Sequence, residues 1–233
     1  MSRYANRLIH AVFPVLCVFC GVHHAGGSVC KQCNAALPWI GIICEHCGQS
    51  LPATQPEGVV CAVCQAKPPA FAKARAPCTY NFPLDTALKA LKFKRQLCYV
   101  PALAGMLLPV LEQDFSDCDA LVPVPLHRTR HALRGFNQAT ELCRPLRRTT
   151  GLPMMRQVYR HRATRSQAGL TATERNRNVR NAFAVKGNVL CRYPLIIDDV
   201  ITTGATCAQL AIALLNAGAE KVGVLTVARV QPV

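Results

Sequence analysis

Acidic residues are scarce in this chain. Twelve Asp and Glu stand against twenty-seven Lys and Arg, a formal net charge of +15 over 233 residues. The scarcity is local: residues 127 to 180 hold thirteen Arg, no Lys, and only Glu141 and Glu174 as acids. Nothing nearby balances these arginines, whose planar forks suit phosphate. The excess points to polyanionic partners: pyrophosphate, nucleotides or nucleic acid. Aromatics are scarce too, at 6%. Only Phe136 and Tyr159 accompany the arginines, which leaves little for base stacking. No recognition-helix motif is evident, so a transcriptional regulator ranks last among the readings. Low-complexity tracts are absent, and so is any repeat beyond a set of cysteine pairs, which sets aside disordered and solenoid classes. Long hydrophobic runs are absent as well. Leu8 to Cys20, behind Arg3 and Arg7, superficially resembles a signal peptide, but no small-residue cleavage site follows cleanly. The stretch is too short and interrupted to span a bilayer. The expectation is a helix beside the first cysteine pair in a cytoplasmic protein, with weak attachment at the inner membrane face as the other reading.

Cysteine, by contrast, is abundant. Eight of the fourteen form four Cys-x-x-Cys pairs: Cys17/Cys20, Cys30/Cys33, Cys44/Cys47 and Cys61/Cys64. Such a turn places two thiolates on one tetrahedral Zn²⁺, and two turns complete a structural site. The spacing therefore predicts two zinc ribbons, not disulfides. Sequential pairing is simplest, with Cys17, Cys20, Cys30 and Cys33 on one ion and Cys44, Cys47, Cys61 and Cys64 on the other. Interleaved pairing is the alternative. His23, His24 and His46 are surplus to two four-cysteine sites and read as non-ligands. Eight thiolates with two Zn²⁺ bring the charge of +15 down to about +11. The ribbon segment carries few basic residues (Arg3, Arg7, Lys31 and Lys67), so it reads as a surface for partner contact or domain packing.

One stretch carries the chemistry. In Pro194-Leu195-Ile196-Ile197-Asp198-Asp199-Val200-Ile201-Thr202-Thr203-Gly204-Ala205-Thr206 an apolar run ends in two acids, and small residues follow. Leu195 to Ile197 reads as a central parallel strand buried on both faces. Ligands in open α/β sheets bind beyond the carboxyl ends of such strands. The small side chains of Thr202 to Thr206 let backbone N–H groups approach a phosphate. Cys207, Leu210, Ala211, Leu214 and Leu215 then mark one face of a helix whose start favours an anion. Asp198 and Asp199 would repel phosphate. They suit the two ribose hydroxyls or a hydrated Mg²⁺.

The rest of the chain supplies the frame. Lys67-Pro68-Pro69-Ala70 reads as a linker, dividing a zinc module of residues 1–67 from an α/β domain of 68–233. Leu84, Ala87, Leu88 and Leu91 predict one helix, and Val100 to Leu111 a second. Asp119 to Pro125 is a strand whose prolines mark its end. Asn137 suits an N-cap. Residues 159 to 181 read as an irregular basic loop, and Val222 to Val230 as a closing strand. Strands alternating with helices predict a mostly parallel sheet flanked by helices. The site then needs three walls: the loop from Asp198 to Thr206, the segment Leu126-His127-Arg128-Thr129-Arg130 after a second strand, and the Arg-rich loop closing over them.

The stretch around Asp198 and Asp199 resembles the phosphoribosyl pyrophosphate signature of type I phosphoribosyltransferases. Three further segments narrow the match: Val122-Pro123-Val124-Pro125-Leu126-His127-Arg128, Arg134-Gly135-Phe136-Asn137-Gln138, and Thr164-Arg165-Ser166-Gln167-Ala168-Gly169-Leu170 with Arg175, Asn178, Val179 and Phe183 behind it. In this order, after a double zinc ribbon, they look like the ComF/GntX family of competence-related proteins. The resemblance covers essentially the whole chain. It implies a type I phosphoribosyltransferase-like fold that binds phosphoribosyl pyrophosphate with Mg²⁺. Asp198 and Asp199 would hold the ribose and Thr202, Thr203, Gly204, Ala205 and Thr206 the 5′-phosphate. Leu126, His127, Arg128 and Arg130 would hold the pyrophosphate, and Arg162, Arg165, Gln167 and Arg175 would lie on the flexible loop. The family is associated with DNA uptake, natural transformation and the use of external DNA. Two functions compete: a phosphoribosyltransferase, in the glycosyltransferase class, and a non-catalytic protein that binds single-stranded DNA or adapts to import proteins at the inner membrane face. No general base is visible, and the acceptor is unassigned.

Overall fold

The computed structural model describes residues 15–24, 26–161, 181–187 and 191–231. The ribbon segment comes first. β1 (Val15–Leu16) pairs antiparallel with β2 (His23–His24), followed by the short helices α1 (Lys31–Ala35) and α2 (Ala62–Ala66). The expected helix over Leu8 to Cys20 is, in its described part, strand β1 and the first cysteine turn. The other residues of that expectation lie outside the described ones.

A parallel sheet of five strands follows: β3 (Lys73–Arg75), β4 (Cys78–Thr79), β5 (Ala120–Pro123), β8 (Pro194–Ile201) and β9 (Gly223–Arg229). Its order is β3-β9-β8-β5, and β4 also pairs with β9. The strand carrying the two acids is therefore interior, as its apolar run predicts. β9, the strand expected over Val222 to Val230, is interior too. β6 (Val158–Arg160) and β7 (Phe183–Val185) form a separate antiparallel ladder. This places Tyr159 and Arg160 in a strand, where the sequence suggested the start of an irregular loop.

Helices α3 (Leu84–Lys94), α4 (Val100–Asp114) and α6 (Gln138–Thr150) cover one face of the sheet. Leu88, Leu107 and Leu142 pack there against Leu195, Ile197 and Leu225. α7 (Ala205–Asn216) covers the other face, with Leu210 and Leu214 against Val122, Ile196 and Val224. The side-chain period of two sends alternate residues of β8 to opposite cores. Asn137 caps α6 as expected, its Oδ1 accepting the Ala139 N–H at 3.0 Å.

The ribbons lean directly on this sheet. The Ala74 N–H donates to His46 O at 2.7 Å, Thr79 N–H to Pro38 O at 2.8 Å, and Ile40 N–H to Pro77 O at 2.9 Å. Gly48 turns at φ 69, and a Cβ there would sit 2.5 Å from Ala74 O, so only glycine lets this turn approach β3 so closely. Arg75, buried, joins three elements. Its Nη2 meets Glu45 Oε1 at 2.6 Å and its Nε meets Asp114 Oδ1 at 2.9 Å. Among the described residues no helix is long and apolar enough to cross a membrane.

Candidate functional site

β8 carries both acids to the carboxyl end of the sheet, and the pleat separates them. Asp199 is 3% exposed. Lys92, in the last turn of α3, sits 2.6 Å from its Oδ2. Gln138, opening α6, donates to its Oδ1 at 3.4 Å and is held in turn by Arg134 Nη1 at 2.6 Å. Burial works against the Asp199 charge, yet the Lys92 ammonium holds the carboxyl below the usual carboxylate range. Burial likewise opposes the Lys92 charge, and Asp199 more than offsets it, keeping the ammonium above its ordinary range. Asp198 is half-buried and, among the described residues, has no such partner at hydrogen-bond distance; its Oδ1 accepts the Asp199 N–H at 2.9 Å. Burial, then the Asp199 charge beside it, pushes its carboxyl well above the usual range. The sequence suggested one shared role for the two acids. Their neighbours make them unlike: Asp199 belongs to an ion pair with Lys92, while Asp198 feels nearby cations only at longer range.

Thr202 and Thr203 follow β8 directly. Gly204 takes the left-handed turn at φ 76 that admits the chain to α7. The expected five-residue loop is therefore shorter, because Ala205 and Thr206 already form the first turn of α7. Thr203 Oγ1 accepts the Ala205 N–H at 3.4 Å.

The second wall stands beyond β5. Leu126 leads to His127, which caps α5 (Arg128–Arg134): its Nδ1 accepts the Thr129 N–H at 3.4 Å. Leu126 to Arg130 is thus a helix start, with Arg128 and Arg130 in its first turn, not an open loop. A backbone bridge between His127 and Arg160 brings β6 alongside. Burial first, and the Arg130 charge second, push the Arg160 guanidinium down to about 10. Burial lowers Arg134 as well, with Arg130 again adding to the effect. Lys92, Arg130, Arg134 and Arg160 thus surround two carboxylates, and mutual repulsion among the arginines would be relieved by a polyanion. Arg162, Arg165, Gln167 and Arg175, expected on the third wall, lie outside the described residues. Lys92 reads from the sequence only as a cation near a helix end, and Arg134 and Gln138 only as parts of a family segment; none of the three was assigned to the site. The pairing of Lys92 with Asp199 joins residues far apart in the chain, and no local pattern announces it.

The cysteines gather into two groups, Cys17, Cys20, Cys30 and Cys33, and Cys44, Cys47, Cys61 and Cys64, the sulfurs of each lying within 4.8 Å of one another. The pairing is sequential. Zn–S bonds of about 2.3 Å at a tetrahedral centre set sulfurs about 3.8 Å apart, and Cys20–Cys30 and Cys47–Cys61 measure 3.8 and 3.9 Å. Backbone N–H groups already serve the sulfurs: Cys30 N donates to Cys17 Sγ at 3.4 Å and Cys61 N to Cys44 Sγ at 3.2 Å. Burial opposes ionisation of Cys17, but such donors outweigh it and bring the thiol down to about 6. Both sets fit structural Zn²⁺, and neither includes His23, His24 or His46.

Comparison with known proteins gives the same picture. The double zinc ribbon domain family matches residues 8–65. The DNA utilization protein YhgH of Escherichia coli (strain K12) is 38% identical over 224 residues, covering 93% of this chain and 97% of that protein. The chain belongs to the ComF/GntX family. Further members are more distant: Competence protein F of Haemophilus influenzae is 29% identical over 228 residues (93% of this chain, 98% of that protein), and Competence protein ComFC of Bacillus subtilis 29% over 199 residues (82% and 79%). The double zinc ribbon stands here beside a parallel sheet, and the acids and the threonine loop stand together at the carboxyl end of β8.

Proposed function

We propose that this chain binds phosphoribosyl pyrophosphate with Mg²⁺ and works in the cytoplasm, in DNA uptake or the use of external DNA. Residues 1–67 and 68–233 form its two domains. The observation that carries the ligand is the half-buried Asp198 at the end of an interior parallel strand, immediately before the loop into α7, with the charges of Lys92, Arg134 and Arg160 acting on the same end of the sheet. Asp198 suits the ribose hydroxyls, and the loop from Thr202 to Thr206 the 5′-phosphate. Arg128, Arg130 and the His127 turn suit the pyrophosphate. Mg²⁺ takes one or two carboxylates plus phosphate oxygens; when bound it neutralises the leaving group, and Asp198 is the carboxylate not already paired with lysine. The transfer such a site supports is displacement at C1 of the ribose. The C1–O bond to pyrophosphate breaks and an acceptor nitrogen closes the new bond, with the arginines holding the departing charge. The role in DNA use rests on the names of the relatives.

A second reading, single-stranded DNA binding, has its own support. Phe93 is 73% exposed, with the Arg134 guanidinium 5.8 Å from its ring centre. Exposed Lys94 and Arg95 follow it in the chain, and Arg95 Nη2 donates to the carbonyl of exposed Leu133 at 3.2 Å. The fold thus adds an exposed aromatic to the arginines, which the linear sequence accompanies only with Phe136 and Tyr159, and bases stack on such platforms. DNA-import proteins at the inner membrane face would be the partners of this activity.

Calorimetry with phosphoribosyl pyrophosphate and Mg²⁺ tests the first reading. Binding by the zinc-loaded chain and its loss in Asp198→Asn is the expected result. Absence of binding to the folded wild type overturns it. Salt-sensitive anisotropy of a labelled oligonucleotide, lost in Phe93→Ala, would then favour the second.

A further inference from the structure

A cavity of about 390 Å³ lies between the second ribbon and the loop after β8. Cys47 and Cys64 stand on its ribbon side, Thr202 and Thr203 on its loop side, and Arg229 and Gln231 come from the end of β9. Arg229 is 5% exposed, and its Nε and Nη1 are buried without a hydrogen-bond partner among the described residues. Gln231 shows the same pattern. The Ser50 N–H donates to its Oε1 at 3.2 Å, which fixes the amide orientation, and its Nε2 is buried without an acceptor.

Three donors on two neighbouring side chains are therefore unmet. A guanidinium cannot lose its charge to relieve the cost, and an unmet buried donor is expensive. No Asp or Glu lines the cavity to supply the acceptor, and Lys67 adds another cation to its wall. What fits is a group that only accepts hydrogen bonds. The hydroxyls of Thr202 and Thr203 and the start of α7 share the same wall and favour an oxyanion.

We propose that Arg229 and Gln231 bind the phosphate monoester of a ligand in this cavity, so that the second zinc ribbon forms one wall of the phosphate end of the site. The inference rests on the phosphoribosyl reading in one respect, the threonine loop common to both. It adds two side chains and a ribbon wall that the loop alone does not supply.

The competing account makes Arg229 a counter-charge for the zinc thiolates. Four thiolates around one Zn²⁺ leave about −2 in net charge, and burial raises the Cys47 thiol against the opposing pull of Arg229. But none of the three nitrogens is hydrogen-bonded to a sulfur, and a counter-charge gives Gln231 no part.

Titration of the zinc-loaded full chain with inorganic phosphate, followed by calorimetry, separates the accounts. Ribose 5-phosphate should displace the phosphate, and a single-stranded oligonucleotide lacking a terminal phosphate should not. Arg229→Met should weaken phosphate binding about tenfold or more, with two zinc ions retained and unfolding still cooperative. Arg229→Lys should fall between, and Gln231→Ala should lose less. Equal phosphate binding by wild type and Arg229→Met overturns the proposal. So does a variant that sheds zinc while its phosphate affinity stays unchanged, or displacement by the oligonucleotide as effective as by ribose 5-phosphate. Asp198→Asn keeps the two readings apart. It should bind inorganic phosphate normally while losing phosphoribosyl pyrophosphate, so the failure of one reading does not imitate the failure of the other.

Discussion

Between Val15 and Ala66 the helices are five residues long and the strands two. Apart from ligand cysteines, Leu37 is the one buried hydrophobic residue among those described there. Beyond residue 83 four helices run from 11 to 15 residues, and Leu88, Leu103, Leu142, Leu195 and Ile197 are fully enclosed. The ribbons bury too little apolar surface to offset the entropy of ordering their backbone, so their order must come from metal–thiolate bonds. The sheet needs no ion; its two cores suffice. One chain thus holds adjoining walls of a single cavity by two unrelated means, which respond to different perturbations.

The largest expected effect is on the metal side. Structural zinc is worth about 10–16 kcal/mol to a ribbon at neutral pH. Cys64→Ser should halve the bound zinc and disorder the second ribbon, while far-UV circular dichroism from the sheet unit stays nearly intact. Trp39, the only tryptophan, reports on the junction, because its Nε1 donates to Asn34 O at 2.8 Å and its backbone bridges to Cys78. Chelation of both ions should shift its fluorescence before the sheet unfolds. One coincident transition in both signals would mean that ribbon and sheet are not independent. Leu195→Ala attacks the other side. It should cost about 4 kcal/mol of sheet stability with both zinc ions retained, measured by chemical unfolding alongside metal analysis.

Much of this contrast was legible in the sequence. Cysteine spacing defines the metal sites, since a tetrahedral ion accepts few arrangements. The apolar run before Asp198 marks an interior strand, since burial on both faces leaves no alternation. Other features depend on contacts between distant residues. Nothing local ties Lys92 to Asp199, brings Arg75 to Glu45, or sets Arg229 against the second ribbon. The start of α5 at Arg128 was hidden by the prolines before it, which signal the end of a strand but not the beginning of a helix.

Arg75 tests the seam between the two regions. Its guanidinium joins Glu45 of the second ribbon to Asp114 of α4. Arg75→Met keeps the bulk and removes the charge, leaving Asp114 with Lys73 at 3.3 Å. The expected loss is about 3 kcal/mol, discounted from the full buried-pair value because the Glu45 side chain is 45% exposed. If the seam is what couples the regions, this variant should separate the Trp39 and circular dichroism transitions even with zinc present.

The smallest effect is also the most discriminating, because it sets two adjacent residues of one strand against each other. Asp199 has a depressed pKa, so its contribution to stability is present above the unfolded value of about 3.9 and is lost as pH falls through the folded value. Asp198 has the opposite sign. Its pKa is raised, so its share of stability is present below about 3.9 and lost as pH rises through the folded value. At neutral pH Asp199→Asn should therefore destabilise the fold by about 2 kcal/mol, since it leaves Lys92 without its carboxylate. Asp198→Asn should stabilise it by about 1 kcal/mol, a rise of about 2–4 °C in Tm, while abolishing phosphoribosyl pyrophosphate binding. A gain in stability with a loss of ligand is the mark of a carboxylate kept for binding against the interest of the fold. Thermal scans of both variants across the acid range check the signs, and two variants with the same sign would place both acids in one role.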